Sequence, residues 1–178
     1  MTKNEFLTKY NPSKSIDIAL RKSISASVQH NKLYFKDVDK QQRINIRKFW
    51  EEQLMMLYSS FANCPWGEEE HNQKIVQLKG CMGKEFVNQI DFRISHSQKS
   101  ISVFFKHLWC LKLLLINPPQ CPVDRVILTR IGLPLRERKW GYVNTIEDHK
   151  EKIKLIKNHA AIEGYNCIAE WELFNFNG

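Results

Sequence analysis

The strongest constraint on what this chain can fold into lies in residues 95–116. There Ile101, Phe104, Phe105, Leu108, Trp109, Leu111 and Leu115 recur so as to cover nearly the whole circumference of a helix. A helix that is apolar on all sides must be surrounded by others. Ser95 or Ser97 supplies the cap that starts it. It ends before NPPQCP, because Pro118 and Pro119 cannot continue a helix and bias the preceding residue toward extended backbone. Pro122 then fits the first turn of a second helix, with Asp124 at its start, Val126, Ile127, Ile131 and Leu133 pointing inward, and Gly132 as its stop.

The remaining chain supplies the surrounding helices. After a polar lead, Asn11, Pro12 and Ser13 open a helix over 13–29, carried by Ile16, Leu20, Ile24 and Val28. The segment 30–40 has no sustained period and reads as a loop or a short extended piece. Asp39 caps a helix over 40–61 with a wide apolar face of Ile44, Ile46, Phe49, Trp50, Leu54, Leu57, Tyr58 and Phe61. NCPWGEEEHN reads as a turn and an exposed acidic loop, a connection near 63–72. Helical pattern returns over 74–87, where Gly80 and Gly83 either weaken the helix or mark a close neighbour.

PLRERKWGYVNT is a basic loop; Thr145 and Asp148 then open a helix over 146–163 that Gly164 closes. The tail NCIAEWELFNFNG carries Ile168, Trp171, Leu173, Phe174 and Phe176 and should dock on the body. Strand signals are weak throughout. The expectation is an all-α fold, a compact bundle of about six helices in one domain, 1–178. Two helical lobes with a cleft between them, joined near 63–72, are the variant.

Charge narrows the partners. With 27 Lys and Arg against 19 Asp and Glu, the formal charge of +8 favours polyanions, nucleic acid first. The five cysteines, Cys64, Cys81, Cys110, Cys121 and Cys167, are scattered singly, which fits reduced thiols in a reducing compartment. With no CxxC pair and no repeat of metal-ligand spacing, neither a metal nor a cofactor is expected. The charged start MTKNEFLTKYNPSK lacks the apolar run of a signal peptide, and the run 109–116 is too short to cross a bilayer. The expectation is a cytoplasmic protein, with nucleoid association open to it and no membrane partner.

CPVDRVILTRIGL resembles the element of helix-hairpin-helix DNA glycosylases in which a proline or apolar residue and Val precede an Asp that starts a helix ending in Arg, a hydrophobic residue and Gly-Leu. The resemblance spans residues 95–133. It implies that Asp124 is the essential carboxylate, and that Lys99, in SHSQK, takes the place of the lysine nucleophile some members carry. Lys106 lies closer to the family's usual interval to the Asp, so the choice between the two lysines stays open. ISHSQK lacks the glycine of the family's phosphate-binding hairpin.

The chemistry such a site needs is specific. Breaking a base-to-sugar bond develops positive charge on the sugar, which a nearby carboxylate stabilises. A neutral amine opposite attacks the same carbon, and the base must first leave the stack, which calls for aromatic contacts and for cations on the backbone. Trp109, Trp140 and Tyr142 are candidates for the stacking; Arg125, Arg130, Arg136, Arg138, Lys139 and Lys106 are candidates for the nucleic-acid grip. His96 and His107 titrate near neutrality when unperturbed and are either acid–base groups or core residues.

The leading expectation is therefore a DNA-binding, base-excising hydrolase acting on a flipped damaged or modified base. A non-catalytic basic helical module for nucleic acid is the alternative, and a protein-interaction domain with an aromatic tail is the third reading.

Overall fold

The N-terminal half builds a cage for one helix. In the computed structural model, which describes residues 1–29 and 31–176, α1 (Lys3–Tyr10), α2 (Ile16–Val28), α3 (Lys40–Asn63) and α4 (Glu68–Glu85) precede the central α5 (Ile94–Cys110). Then come α6 (Arg125–Arg130), two short 3-10 turns at Leu135–Arg138 and Trp140–Tyr142, α7 (Ile146–Ile162) and α8 (Ile168–Asn175). The described residues contain no strand, only an isolated antiparallel bridge from Tyr34 to Ile90 in the extended piece after α2. The fold is all-α, as the periodicity requires.

All 17 residues of α5 are buried, two lysines included. α2 packs most closely against it, and its buried Ala19, Ser23 and Ser27, at every fourth position, keep that approach short. The two hydroxyls cost little inside, because Ser23 donates to the Ala19 carbonyl at 2.6 Å and Ser27 to the Ser23 carbonyl at 2.7 Å. α3 contributes Ile46, Trp50, Leu54 and Phe61, and Trp50 Nε1 donates to Ser100 Oγ of α5 at 3.1 Å.

Helix boundaries differ from the sequence expectation in several places. The polar lead is itself helical, because Thr2 and Glu5 form a reciprocal capping box that starts α1. α2 starts later than 13, capped by Ser15, while Asn11 ties the turn to the Ser15 backbone through bonds of 2.8 and 3.0 Å. The acidic run after Gly67 is the first turn of α4 and not a loop, since carboxylates are favoured at a helix N-terminus. The connection near 63–72 shrinks to the bend 64–67, and Phe61 before it, Trp66 within it and Leu78 after it share one core.

α5 begins at Ile94 with Arg93 at the cap position, so Ser95 and Ser97 lie inside the helix. It also stops sooner than expected: Leu113 N–H returns to the Leu108 carbonyl at 2.9 Å and Lys112 N–H to that of Trp109 at 3.1 Å, with Lys112 at φ 62°. That closure is a Schellman motif. It leaves Leu115, expected on the apolar face, 98 % exposed. Ile44 and Val126 likewise face solvent and not the core, and Pro122 precedes α6 instead of joining its first turn.

Two core clusters result. The larger fills the space among α1 to α5; the smaller joins Cys121, Val123, Ile127 and Leu128 to Ile153, Ile156, Ala160 and Trp171. α8 touches both, with Trp171 in the smaller and Leu173 in the larger. The tail therefore docks through α8; residues 177 and 178, and residue 30, the first of the segment 30–40, lie outside the described residues.

Candidate functional site

The first turns of α5 gather the site. Ser95 Oγ donates to the Gly141 carbonyl at 2.9 Å, and Ser95 N–H donates to the Val143 carbonyl at 2.9 Å. Arg93 Nη1 reaches the same Gly141 carbonyl at 3.3 Å, and Asn31 Nδ2 donates to Ser95 Oγ at 3.1 Å. A Cβ on Gly141 would stand 3.3 Å from the Asn31 side chain, so the loop approaches too closely for a larger residue to fit without a shift. Pinned this way, the basic loop lays Trp140 beside Lys99, whose Nζ is 5.6 Å from the ring centroid.

Gln98 positions the other partner. Its Nε2 donates to the Val123 carbonyl at 2.9 Å and its Oε1 accepts the Val123 N–H at 3.1 Å, so one amide satisfies both backbone groups of an extended residue. Asp124 follows directly. Its Oδ1 accepts the Ile127 N–H at 3.0 Å and caps α6, while its Oδ2 pairs with the Lys99 ammonium. Helix capping and ion pairing therefore coexist on the two oxygens of one carboxylate.

Burial works against the charged form of Asp124. The Lys99 charge and hydrogen bond, helped by the Ile127 amide and by Lys106, outweigh it and hold the carboxyl below its ordinary range. The pair is nearly closed but not sealed: the Lys99 and Asp124 side chains keep 8 % and 11 % exposure.

Two turns along α5, Lys106 pairs with Glu172 of α8 at 2.8 and 3.1 Å, under the rings of Phe176 at 4.0 Å and Phe6 at 4.9 Å. Glu172 is wholly enclosed, and burial raises its carboxyl above the usual range despite the Lys106 charge. This corrects the expectation that Lys106 grips nucleic acid. An ammonium locked inside the core against a carboxylate does not reach a phosphate.

The remaining expected residues separate by exposure. Arg125, Arg136, Lys139 and Tyr142 are open to solvent, and Trp140 is half-buried. Arg130 is exposed but leans on Glu163 at 3.3 Å, and Arg138 is half-buried, its Nε donating to the Leu133 carbonyl to brace the loop. Trp109 is buried core, covered by Lys3 at 3.6 Å from its centroid. His96 and His107 are buried too, and burial drives their pKa values down to about 4 and about 3. Neither titrates near neutrality.

Gln98, Ser95, Asn31 and Glu172 are not legible in the sequence as site residues. Ser95 and Gln98 stand in the SHSQK stretch singled out for Lys99 and Asn31 and Glu172 in stretches without a motif, and for all four only long-range packing supplies the partner. Two surface depressions lie away from the pair, one bordered by Pro118, Lys157, Tyr165 and Cys167, the other by Asn72, Gln73, Val76 and Lys150. Among the described residues no group of three or more His, Cys, Asp or Glu is placed to hold a metal ion, and no helix is long and apolar enough to cross a membrane.

Comparison of the chain with protein-family models, with curated proteins and with solved structures finds no match. The site's chemistry is thus read from its own geometry: a nearly buried ammonium and carboxylate in contact, with the Trp140 ring beside the ammonium and exposed cations in the adjoining loop.

Proposed function

We propose that the protein binds DNA and excises a base, with Asp124 stabilising the positive charge that develops on the sugar and Lys99 as the adjacent nucleophile. One observation carries the reading. Lys99, Asp124 and Trp140, which stand far apart in the sequence and each suit this chemistry by residue type and context, meet at one place.

In the reaction, the Lys99 ammonium first parts from Asp124 and gives a proton to solvent, and the freed amine lone pair then forms a bond to C1′ as the bond from C1′ to the base nitrogen breaks. The electron pair leaves with the base, which takes up a proton from solvent; one proton of the new secondary ammonium then moves to O4′ as the C1′–O4′ bond breaks, leaving the iminium that borohydride reduces. If water attacks instead, Asp124 orients it and Lys99 remains a cation beside the site. The pair must part for either route, and the Trp140 side chain must turn aside to admit the base.

The experiment is excision on duplexes bearing damaged or modified bases, followed by alkali, with borohydride trapping in parallel. Strand scission that is lost in Asp124→Asn, and a trapped adduct that is lost in Lys99→Ala, are the expected results. No scission across a broad panel, or full activity in a folded Asp124→Asn, overturns the reading.

The near closure of the pair favours a second reading, a non-catalytic module that grips nucleic acid through Arg125, Arg136 and Lys139. It is distinguished by steeply salt-dependent duplex binding without excision of any base.

A further inference from the structure

The two aromatic residues of the basic loop are not equivalent. Trp140 is half-buried and lies beside Lys99, whereas Tyr142 is 74 % exposed. An exposed aromatic ring is usually mobile, but the backbone that carries this one is tied down on both sides. Ser95 and Arg93 hold Gly141, Ser95 N–H holds Val143, and Lys79 Nζ donates to the Asn144 carbonyl at 3.0 Å.

The ring also has a cation against it. The Arg93 guanidinium carbon is 5.7 Å from the Tyr142 centroid, and Arg93 is itself held by Asp91 and by the Gly141 carbonyl. Within residues 134–144 the charges are Arg136, Arg138 and Lys139 against Glu137 alone; Lys139 is exposed, and Arg136 is exposed while its Nε meets Glu137 at 3.4 Å. An exposed π-face on a pinned backbone, in a loop with exposed cations, fits a nucleobase out of its stack, attached to a phosphate backbone. A base still paired within a duplex keeps its faces covered.

We infer that Tyr142 is a stacking platform for an unpaired nucleobase, with Arg136 and Lys139 contacting the phosphates on either side of it. The inference shares with the proposed excision only the nucleic-acid partner, and it deepens that reading by naming the state of the strand that is captured. It also separates two roles: Tyr142 holds a base at the surface, and Trp140 covers the Lys99 ammonium.

The test is equilibrium binding of the whole protein to a short fluorescein-labelled single-stranded oligothymidylate and to the same strand made abasic, across a range of salt concentrations. The base-bearing strand should bind more tightly than the abasic one. Tyr142→Ala should weaken it about tenfold without changing the salt slope, and Tyr142→Phe should restore it. Arg136→Ala with Lys139→Ala should instead lower the slope of log K against log salt by about 1.4.

Equal affinity for the two strands, unchanged binding by Tyr142→Ala, or no binding to either strand at low salt overturns the inference. No bond breaks in this assay, so failure to excise any base leaves its outcome standing. Excision that persists with a Tyr142→Ala protein of unchanged strand affinity would put base capture elsewhere.

Discussion

Lys99 and Lys106 stand seven residues apart on one face of α5, and each meets a carboxylate from a different helix: Asp124 at the start of α6 and Glu172 in α8. The central helix thus carries two cations into a core, and two elements distant in sequence neutralise them. The pairs differ in closure, since Asp124 keeps some exposure and Glu172 has none. That difference is why one pair is read as a site and the other as a staple joining α8 to α5.

The staple makes a double-mutant prediction. Lys106→Met alone leaves Glu172 enclosed without its cation and should lower stability by about 3–5 kcal/mol. Adding Glu172→Leu removes the stranded charge and should recover most of that loss. Urea unfolding of the two single variants and the double variant measures the coupling; additive losses would show that the pair does not act as a unit.

Gln98 should be more consequential than its polarity suggests. Gln98→Leu strands both backbone groups of Val123, which should cost about 1–3 kcal/mol and loosen the segment that delivers Asp124. Amide hydrogen exchange reports this directly: protection at Val123, and at Ile127 with its Asp124 cap, should fall while the middle of α5 stays protected. Unchanged protection at Val123 would remove Gln98 from its positioning role.

Mild acid should unfold the protein through its histidines. Burial lowers the pKa values of His71 and His107 to about 3 and of His96 and His149 to about 4. His71 and His107 pack against the rings of Phe105 at 5.9 Å and Phe6 at 4.8 Å, and His149 meets Gln120 at 2.8 Å. The unfolded chain takes up these protons near pH 6.5, so below that pH it binds more protons than the folded one.

Stability is therefore full above about pH 6.5, and each histidine removes up to about 1.4 kcal/mol per pH unit as the pH falls toward its folded value. The raised carboxyl of Glu172 works the other way and offsets part of this. Thermal melts at pH 7, 6 and 5 should show a falling midpoint, and His107→Leu should flatten the trend. A midpoint constant over that range would contradict it.

Helix ends and interiors offer stabilising substitutions. Gly132 at φ 77° and Gly164 at φ 84° close α6 and α7 with the same Schellman bonds that close α5, but α5 uses Lys112 at that position. Lys112→Gly should relieve the left-handed backbone and add about 1 kcal/mol. Conversely, Gly80 and Gly83 lie inside α4, and a methyl group on either would meet nothing within 4 Å, so neither serves close packing. Gly80→Ala and Gly83→Ala should each add about 0.5–1 kcal/mol in thermal or urea unfolding.

Where sequence and structure part, the causes are local. The capping box of Thr2 and Glu5 is present in the letters, but the helix it starts spans only eight residues, too few to show a period. Glu68, Glu69 and Glu70 look like a solvated loop because composition says nothing about position relative to a helix dipole. Leu115 matches the apolar pattern of α5, yet the backbone turns at Lys112 before reaching it.

What the letters by themselves determined is whatever depends on neighbours within a few turns: the all-α class, the apolar centre of α5, the cap at Asp124, the Gly132 and Gly164 stops and the excess of positive charge. Which lysine faces which acid was decided only by tertiary structure. Lys99 and Lys106 have the same side chain, and two whole turns of one helix make them equivalent in any local pattern. Only the docking of Val123 on Gln98, of Gly141 on Ser95 and of α8 across both cores sets one beside Trp140 with a little exposure left to its carboxylate and seals the other's carboxylate inside.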